Sequence, residues 1–348
     1  MTTVDHDGPR VAPPRALVLA AFAAIYLVWG STYLAIKYAV ATVPPFFMTG
    51  ARFLVAGAVL YGWSAFSAAR SSGSREMSSN RASSLPSRGR QWGDAFIVGA
   101  LLIVGGTALV GWAELSVPSG ITSLILATTP LWMVLLESAL ESRRAPTTRV
   151  IAGVAVGIAG LAILIAPSAG TSGVLRAGAE LLGVGALALA SLAWSLGAMY
   201  SRRSAAASLP PARATGMQMI AGALLSIAGG FALGEHRHLS LGSITLASWL
   251  AVAYLVIAGA LVGFSAYLWL MRVSVPSRVA THAYVNPVVA VMLGWLVLGE
   301  TVTARTAVAM AVIVVAVVLI VGAQSRVRSP RSRGVLSFRH GELAQRRT

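Results

Sequence analysis

The chain contains no cysteine, so neither a disulfide nor a thiolate nucleophile belongs to its chemistry. Charge is scarce as well. Only 11% of the 348 residues are charged, against about 25% in ordinary globular domains. Asp and Glu together number 11 and histidines 5. Of the histidines, only His236 and His238 stand close together. No zinc spacing, phosphate-binding loop or nucleophile elbow can be assembled from these residues. A membrane enzyme, such as a lipid-modifying transferase, needs a paired acid and base or a metal cluster at one face. None is visible, so the expectation is no enzyme activity, no cofactor and no metal.

Apolar residues are abundant, at 56% of the chain. A soluble chain of this length cannot hide that much apolar surface, and an integral membrane protein is the class that accommodates it. Ten apolar spans are expected: 16–36, 45–69, 92–114, 118–140, 149–166, 180–201, 211–233, 247–271, 277–298 and 304–323. Most approach the roughly 20 residues that cross a bilayer as a helix. The first span is long for a signal peptide and lacks a convincing cleavage site, so it counts as a membrane helix. Residues 70–91 are Ser- and Arg-rich and read as a flexible loop. Residues 1–15 and 325–348 read as tails, the second strongly basic.

The segment from Arg272 to Glu300 organises the rest, and it is written twice. Val273-Ser274-Val275-Pro276-Ser277 echoes Leu115-Ser116-Val117-Pro118-Ser119. Asn286-Pro287 falls where Thr129-Pro130 falls, with one residue of slippage. Leu209-Pro210-Pro211 with Thr215-Gly216 repeats Val43-Pro44-Pro45 with Thr49-Gly50. Two units follow, 16–167 and 178–324. Internal repeats of this kind mark secondary transporters.

Basic residues fix the expected orientation. The net charge of +16 would suggest nucleic acid in a soluble protein. Here the arginines cluster between spans, so nucleic acid is not an expected partner. Taking the connections alternately, one set holds 22 of the 27 Lys and Arg residues and the other 4, with Arg52 inside a span. Such residues accumulate on the cytoplasmic side, so both termini are expected there. Five spans per unit is an odd number, so the second unit enters the membrane inverted. The expected fold is all-α, with ten transmembrane helices in two inverted five-helix repeats. Inverted repeats can exchange conformations and so open alternately to the two sides.

Several segments carry a family resemblance. They are Trp29-Gly30-Ser31-Thr32-Tyr33, Pro44-Pro45, Gly50-Ala51-Arg52-Phe53, Ala113-Glu114, Val117-Pro118-Ser119-Gly120, Tyr284-Val285-Asn286-Pro287 and Gly299-Glu300. The chain resembles the drug/metabolite transporter superfamily, in particular its ten-helix EamA-type members and their YedA-like branch. The resemblance covers nearly all of 16–323. It implies a carrier of the bacterial inner membrane that exports amino acids, related metabolites or toxic small organic compounds. A passive channel or lipid flippase of the same fold is the alternative. The expected partners are a small-molecule substrate and the lipid bilayer, with a homodimer as the expected oligomer if one forms. The 70–91 loop, His282 and the basic tail depart from the family pattern.

The candidate substrate-binding residues are Trp29, Ser31, Tyr33, Arg52, Glu114, Trp194, Tyr284 and Asn286. Arg52 lies about 10 Å inside its span, at 1.5 Å per residue. A charge at that depth needs a partner or a wet cavity. Glu114 ends the third span on the same side as Arg52. Trp29 and Tyr33 share a helix face; they line a path for amphipathic solutes or form an interfacial belt. Trp194, Ser195 and Tyr200 are their counterparts, and Gln218 stands where Arg52 stands. Pro287 lacks an N–H and frees a carbonyl near Ala283, beside Tyr284 and Asn286. His282 could carry a coupling proton or simply pack, and packing is favoured. Glu141 and Glu300 read as structural helix ends, and Gly153-x-x-x-Gly157 as a packing contact.

Overall fold

The computed structural model describes residues 14–71, 86–136, 139, 148–165, 174–274, 279 and 282–327. Among them the regular structure is entirely helical and no strand occurs. The helices are α1 (Arg15–Val40), α2 (Pro45–Ser71), α3 (Arg88–Ala113), α4 (Ser119–Leu126), α5 (Thr129–Leu136), α6 (Thr148–Ile165), α7 (Val174–Arg203), α8 (Pro211–Ala232), α9 (246–273), α10 (His282–Leu298) and α11 (Ala304–Val327). Among the described residues, α1, α2, α3, α7, α8 and α9 are long and apolar enough to cross a membrane, and shorter apolar stretches lie within α6, α10 and α11. Leu27, Trp63, Leu182 and Trp295 are exposed on the outside of the bundle. That outward apolar face, rather than a polar one, is what a bilayer requires.

The punctuation of the helices follows local chemistry. Ser87 caps α3 by accepting from the Arg90 N–H, and Thr245 caps α9 by accepting from the Ser248 N–H. Pro211 occupies the first turn of α8, where a missing N–H costs nothing. Gly234 after α8 and Gly299 after α10 have φ of 76° and 66°, values open to glycine and strained for most other residues.

The span expected at 118–140 is not one helix. It breaks at residues 127–128 into α4 and α5. Pro130 has no N–H for the Leu126 carbonyl, and the Thr129 hydroxyl donates to that carbonyl instead, at 2.6 Å. Thr128 does the same for Ile125, also at 2.6 Å. Pro287, by contrast, lies inside a continuous α10. A second departure from the sequence reading is that α3 and α9 each contain π-helix, at Ala100–Ala108 and Leu255–Val262.

Small residues set how closely helices approach. The largest interface joins α2 to α8. A methyl group built on Gly57 would sit 2.8 Å from Met219 Cβ, and one on Gly216 2.8 Å from the Tyr61 nitrogen. The Ser226 hydroxyl also donates to the Phe46 carbonyl across this interface, at 2.8 Å. α6 packs on α11, with Gly157 facing Ala316 and Gly160 facing Ile313. α1 packs against α10, while α7 packs against α4 and α5 and against the π segment of α3. Glu141, Pro276 and residues 1–13, 72–85 and 328–348 lie outside the described residues, whereas 325–327, read as the start of the basic tail, continue α11.

Candidate functional site: unpartnered charges inside the helical bundle

Arg52 lies on the inward stripe of α2. Residues 49, 52, 53 and 56 are buried, whereas 51, 55, 58 and 59 are exposed. The arginine is only 8% exposed. Its guanidinium carbon sits 4.4 Å from the Phe53 ring centroid, a cation–π distance. Its Nε and Nη1 are buried with no hydrogen-bond partner among the described residues. Phe53 itself packs with Ile103 and Ala260, which belong to the two π segments.

Glu114 follows α3 and is fully buried. Neither of its carboxylate oxygens has a partner among the described residues. Lys37, Glu300 and Tyr33 are within electrostatic range. Lys37 does not bond the carboxylate. Its ammonium donates to the backbone carbonyl of Glu114 and, at 3.3 Å, to that of Val117. It thereby takes up the free carbonyls at the end of α3. Lys37 was not among the candidates singled out from the sequence. Its position in the last turn of α1 was the available signal.

Three other carboxylates, Glu300, Glu235 and Asp94, have hydrogen-bond donors. Glu300 accepts from the Ser119 N–H at 2.7 Å, the Ser119 hydroxyl at 2.9 Å and the Gly120 N–H at 3.0 Å. It caps the start of α4 from 181 residues away in sequence. Glu235 accepts from the Phe46 and Phe47 N–H groups at 3.1 and 3.2 Å, capping α2. Burial pushes the Glu235 carboxyl above the ordinary glutamate range, and these two N–H donors only partly offset that. Asp94 accepts from the Tyr200 hydroxyl at 2.7 Å and the Ala205 N–H at 2.5 Å. The structural reading of Glu300 thus acquires its partners.

The remaining candidates fall into separate groups. Trp29 donates to the Gly259 carbonyl at 3.2 Å, within the π segment of α9. Its ring meets those of Tyr267 and His282, with centroids 5.3 and 5.2 Å away. His282 Nδ1 lies 2.8 Å from the Val279 carbonyl, so the imidazole is enclosed by rings and one backbone group. Ser31 bonds the Tyr254 hydroxyl at 2.6 Å. Asn286 is buried, with Oδ1 unpartnered among the described residues, and its carbonyl borders Gly30. Trp194 lies elsewhere, over Gly106 in the π segment of α3. Ser195 donates to the Ser191 carbonyl at 2.8 Å, and the Gln218 amide to Ser201 at 3.1 Å. Tyr284 lies on α10.

Described residues that are helical throughout their regular structure, with an apolar exterior and, among them, buried charged groups without partners, place the chain with the multi-pass membrane proteins. Comparison with known proteins narrows this. The profile of the EamA-like transporter family matches residues 15–166 and again 181–322. The chain belongs to that family. It is 33% identical over 290 residues to the Escherichia coli (strain K12) protein described as "Uncharacterized inner membrane transporter YedA", covering 82% of this chain and 84% of that protein. An "Uncharacterized transporter" of Buchnera aphidicola subsp. Schizaphis graminum is 44% identical over 46 residues, 13% of this chain and 15% of its own. A solved structure titled "Crystal structure of protein" superposes with a TM-score of 0.57 at 22% identity, covering 91% of this chain and all of that one. It supports the fold alone.

Proposed function

We propose that this membrane transporter is a secondary carrier that exports small organic solutes across the inner membrane by alternating access. The carrying observation is the crosswise pairing of two halves, 16–167 and 178–324. α2 meets α8, α6 meets α11, α1 meets α10, and α7 meets α4 and α5. Each half also places π-helix in its third span. These are the pairings expected if ten spans form two inverted five-helix units. Arg52, Glu114, Trp29 and Asn286 then face the solute where the halves meet. On the expected orientation, the end holding Lys37, Glu114, Glu235 and Glu300 is external.

The absence of native cysteine makes the test clean. Single cysteines at Ser31 and Ser195 are labelled in membranes with and without an imposed solute or proton gradient. Alternating access requires opposite changes in reactivity at the two positions. Changes of the same sign at both would indicate a pore, and lipid scrambling without solute flux would indicate a flippase. A cysteine at Ser240, but not one at Ser79, should react with an impermeant reagent on intact cells. The reverse would invert the proposed orientation.

A further inference from the structure

We propose that Thr49 and Arg52 form an anion subsite, so that the transported solute carries a carboxylate or phosphate group. This rests on the carrier reading and adds a substrate class to it.

Three orphan donors carry the argument. The Thr49 hydroxyl is buried without a partner among the described residues, as are Arg52 Nε and Nη1. Thr49 is fully buried and Arg52 nearly so. The two residues are three apart on α2, so they stand one above the other on the same face. That face is the inward stripe, away from Ala51, Val55 and Val59. Buried polar groups in folded proteins are nearly always bonded, and a guanidinium in a bilayer has the most to lose by being bare. Arginine offers only donors, in a planar fork that matches two oxygens of a carboxylate or phosphate. Threonine adds a third donor one turn away. The missing partner is therefore an acceptor, with negative charge to balance the guanidinium. The Phe53 ring, 4.4 Å from the guanidinium carbon, meets the face of the guanidinium and takes up none of its N–H groups.

Arg213 gives the contrast. It too has an unpartnered Nε and an aromatic neighbour, Tyr61, 5.7 Å from its guanidinium carbon. It sits in the first turn of α8 and the residue is half-buried, whereas Arg52 is buried well inside α2.

The test is binding, measured apart from transport. Purified protein in nanodiscs of zwitterionic lipid is titrated with benzoate, phenyl phosphate and benzamide, and the unfolding temperature is followed. Benzoate or phenyl phosphate should stabilise the wild type, and benzamide should not. Arg52→Gln should abolish the effect. Arg52→Lys should weaken binding about tenfold, because the bidentate contact is lost. Thr49→Val should weaken it less, and Arg213→Gln should leave it unchanged. Nanodiscs containing an anionic lipid form a second arm. If a lipid headgroup is the source of the anion, that lipid stabilises the wild type but not Arg52→Gln, and benzoate no longer adds to it. Equal stabilisation by benzamide, anion binding that survives Arg52→Gln, or no response to either anion in either lipid overturns the proposal. Arg52-dependent binding without solute flux would keep the subsite and remove the carrier reading. Flux of uncharged solutes alone would do the opposite.

Discussion

Glu300 and Glu114 lie within electrostatic range of each other, yet their surroundings are opposite. Three donors converge on Glu300, and among the described residues none reaches the carboxylate of Glu114. The same division separates two arginines. Arg305 donates to the Ile163 carbonyl, joining α11 to α6, while two nitrogens of Arg52 have no partner among the described residues. A charge that caps a helix is a structural element, because backbone dipoles stabilise it and it satisfies orphan groups in return. A buried charge with no such partner reduces stability, and its retention points to another role.

The largest expected effect is on transport. Arg52→Gln should reduce solute flux in proteoliposomes to the level of empty liposomes while insertion and expression persist, because removing a buried charge does not impair insertion. Full flux from well-expressed Arg52→Gln protein would break the distinction at its centre. The next effect is on stability. Glu300→Ala strips three donors at once and should lower unfolding stability by about 3 kcal/mol, given ~1.5–3 kcal/mol for a hydrogen bond to a charged group. Glu114→Gln should cost nothing or stabilise. Denaturant unfolding in lipid nanodiscs compares them, and an equal loss from both would erase the contrast between bonded and bare carboxylates.

Two smaller effects sharpen the comparison. His282→Ala should keep whatever dependence on a pH gradient the wild type shows, since its ring is packed against Trp29 and Tyr267. Loss of that dependence would transfer the coupling proton to His282. Glu235 is an intermediate case, because its caps do not fully offset its burial. Its folded pKa is raised above 4.5. The stability it contributes is therefore present below the unfolded value and lost as pH rises through the folded one. Glu235→Gln should flatten that segment of the stability profile, and an unchanged profile would place the titration elsewhere.

Much of the helical layout was legible because a bilayer imposes length and apolarity on every crossing. Arg52 stood out for the same reason, as a cation deep within a span. The helix register was hidden. Hydropathy is blind to whether a carbonyl bonds four or five residues ahead, so neither π segment could be read. Pro130 and Pro287 looked equivalent in sequence, yet the chain breaks only at the first, where Thr128 and Thr129 bond the carbonyls before it. The partners of Glu300 were hidden by distance along the chain. Its chemistry was visible, but the helix start it serves lies in the other half. Within the candidate site, residue types were legible and groupings were not. Trp29 and His282 meet on one side, and Trp194 packs separately on α3.

A π segment in each half is a place where a helix could turn. Each carries surplus backbone relative to α-helix, and the Thr107 hydroxyl bonded to the Leu102 carbonyl at 3.0 Å supports the wide turn from outside the ladder. Returning one residue of that surplus to α register would turn the helix beyond it by about 100° and advance it by about 1.5 Å. In α3 the part that turns ends at Glu114, and in α9 it carries Phe264 and Tyr267 beside Trp29. Two swivels, one in each half, could redirect the bare carboxylate and the aromatic wall without any helix leaving the membrane or any loop having to stretch.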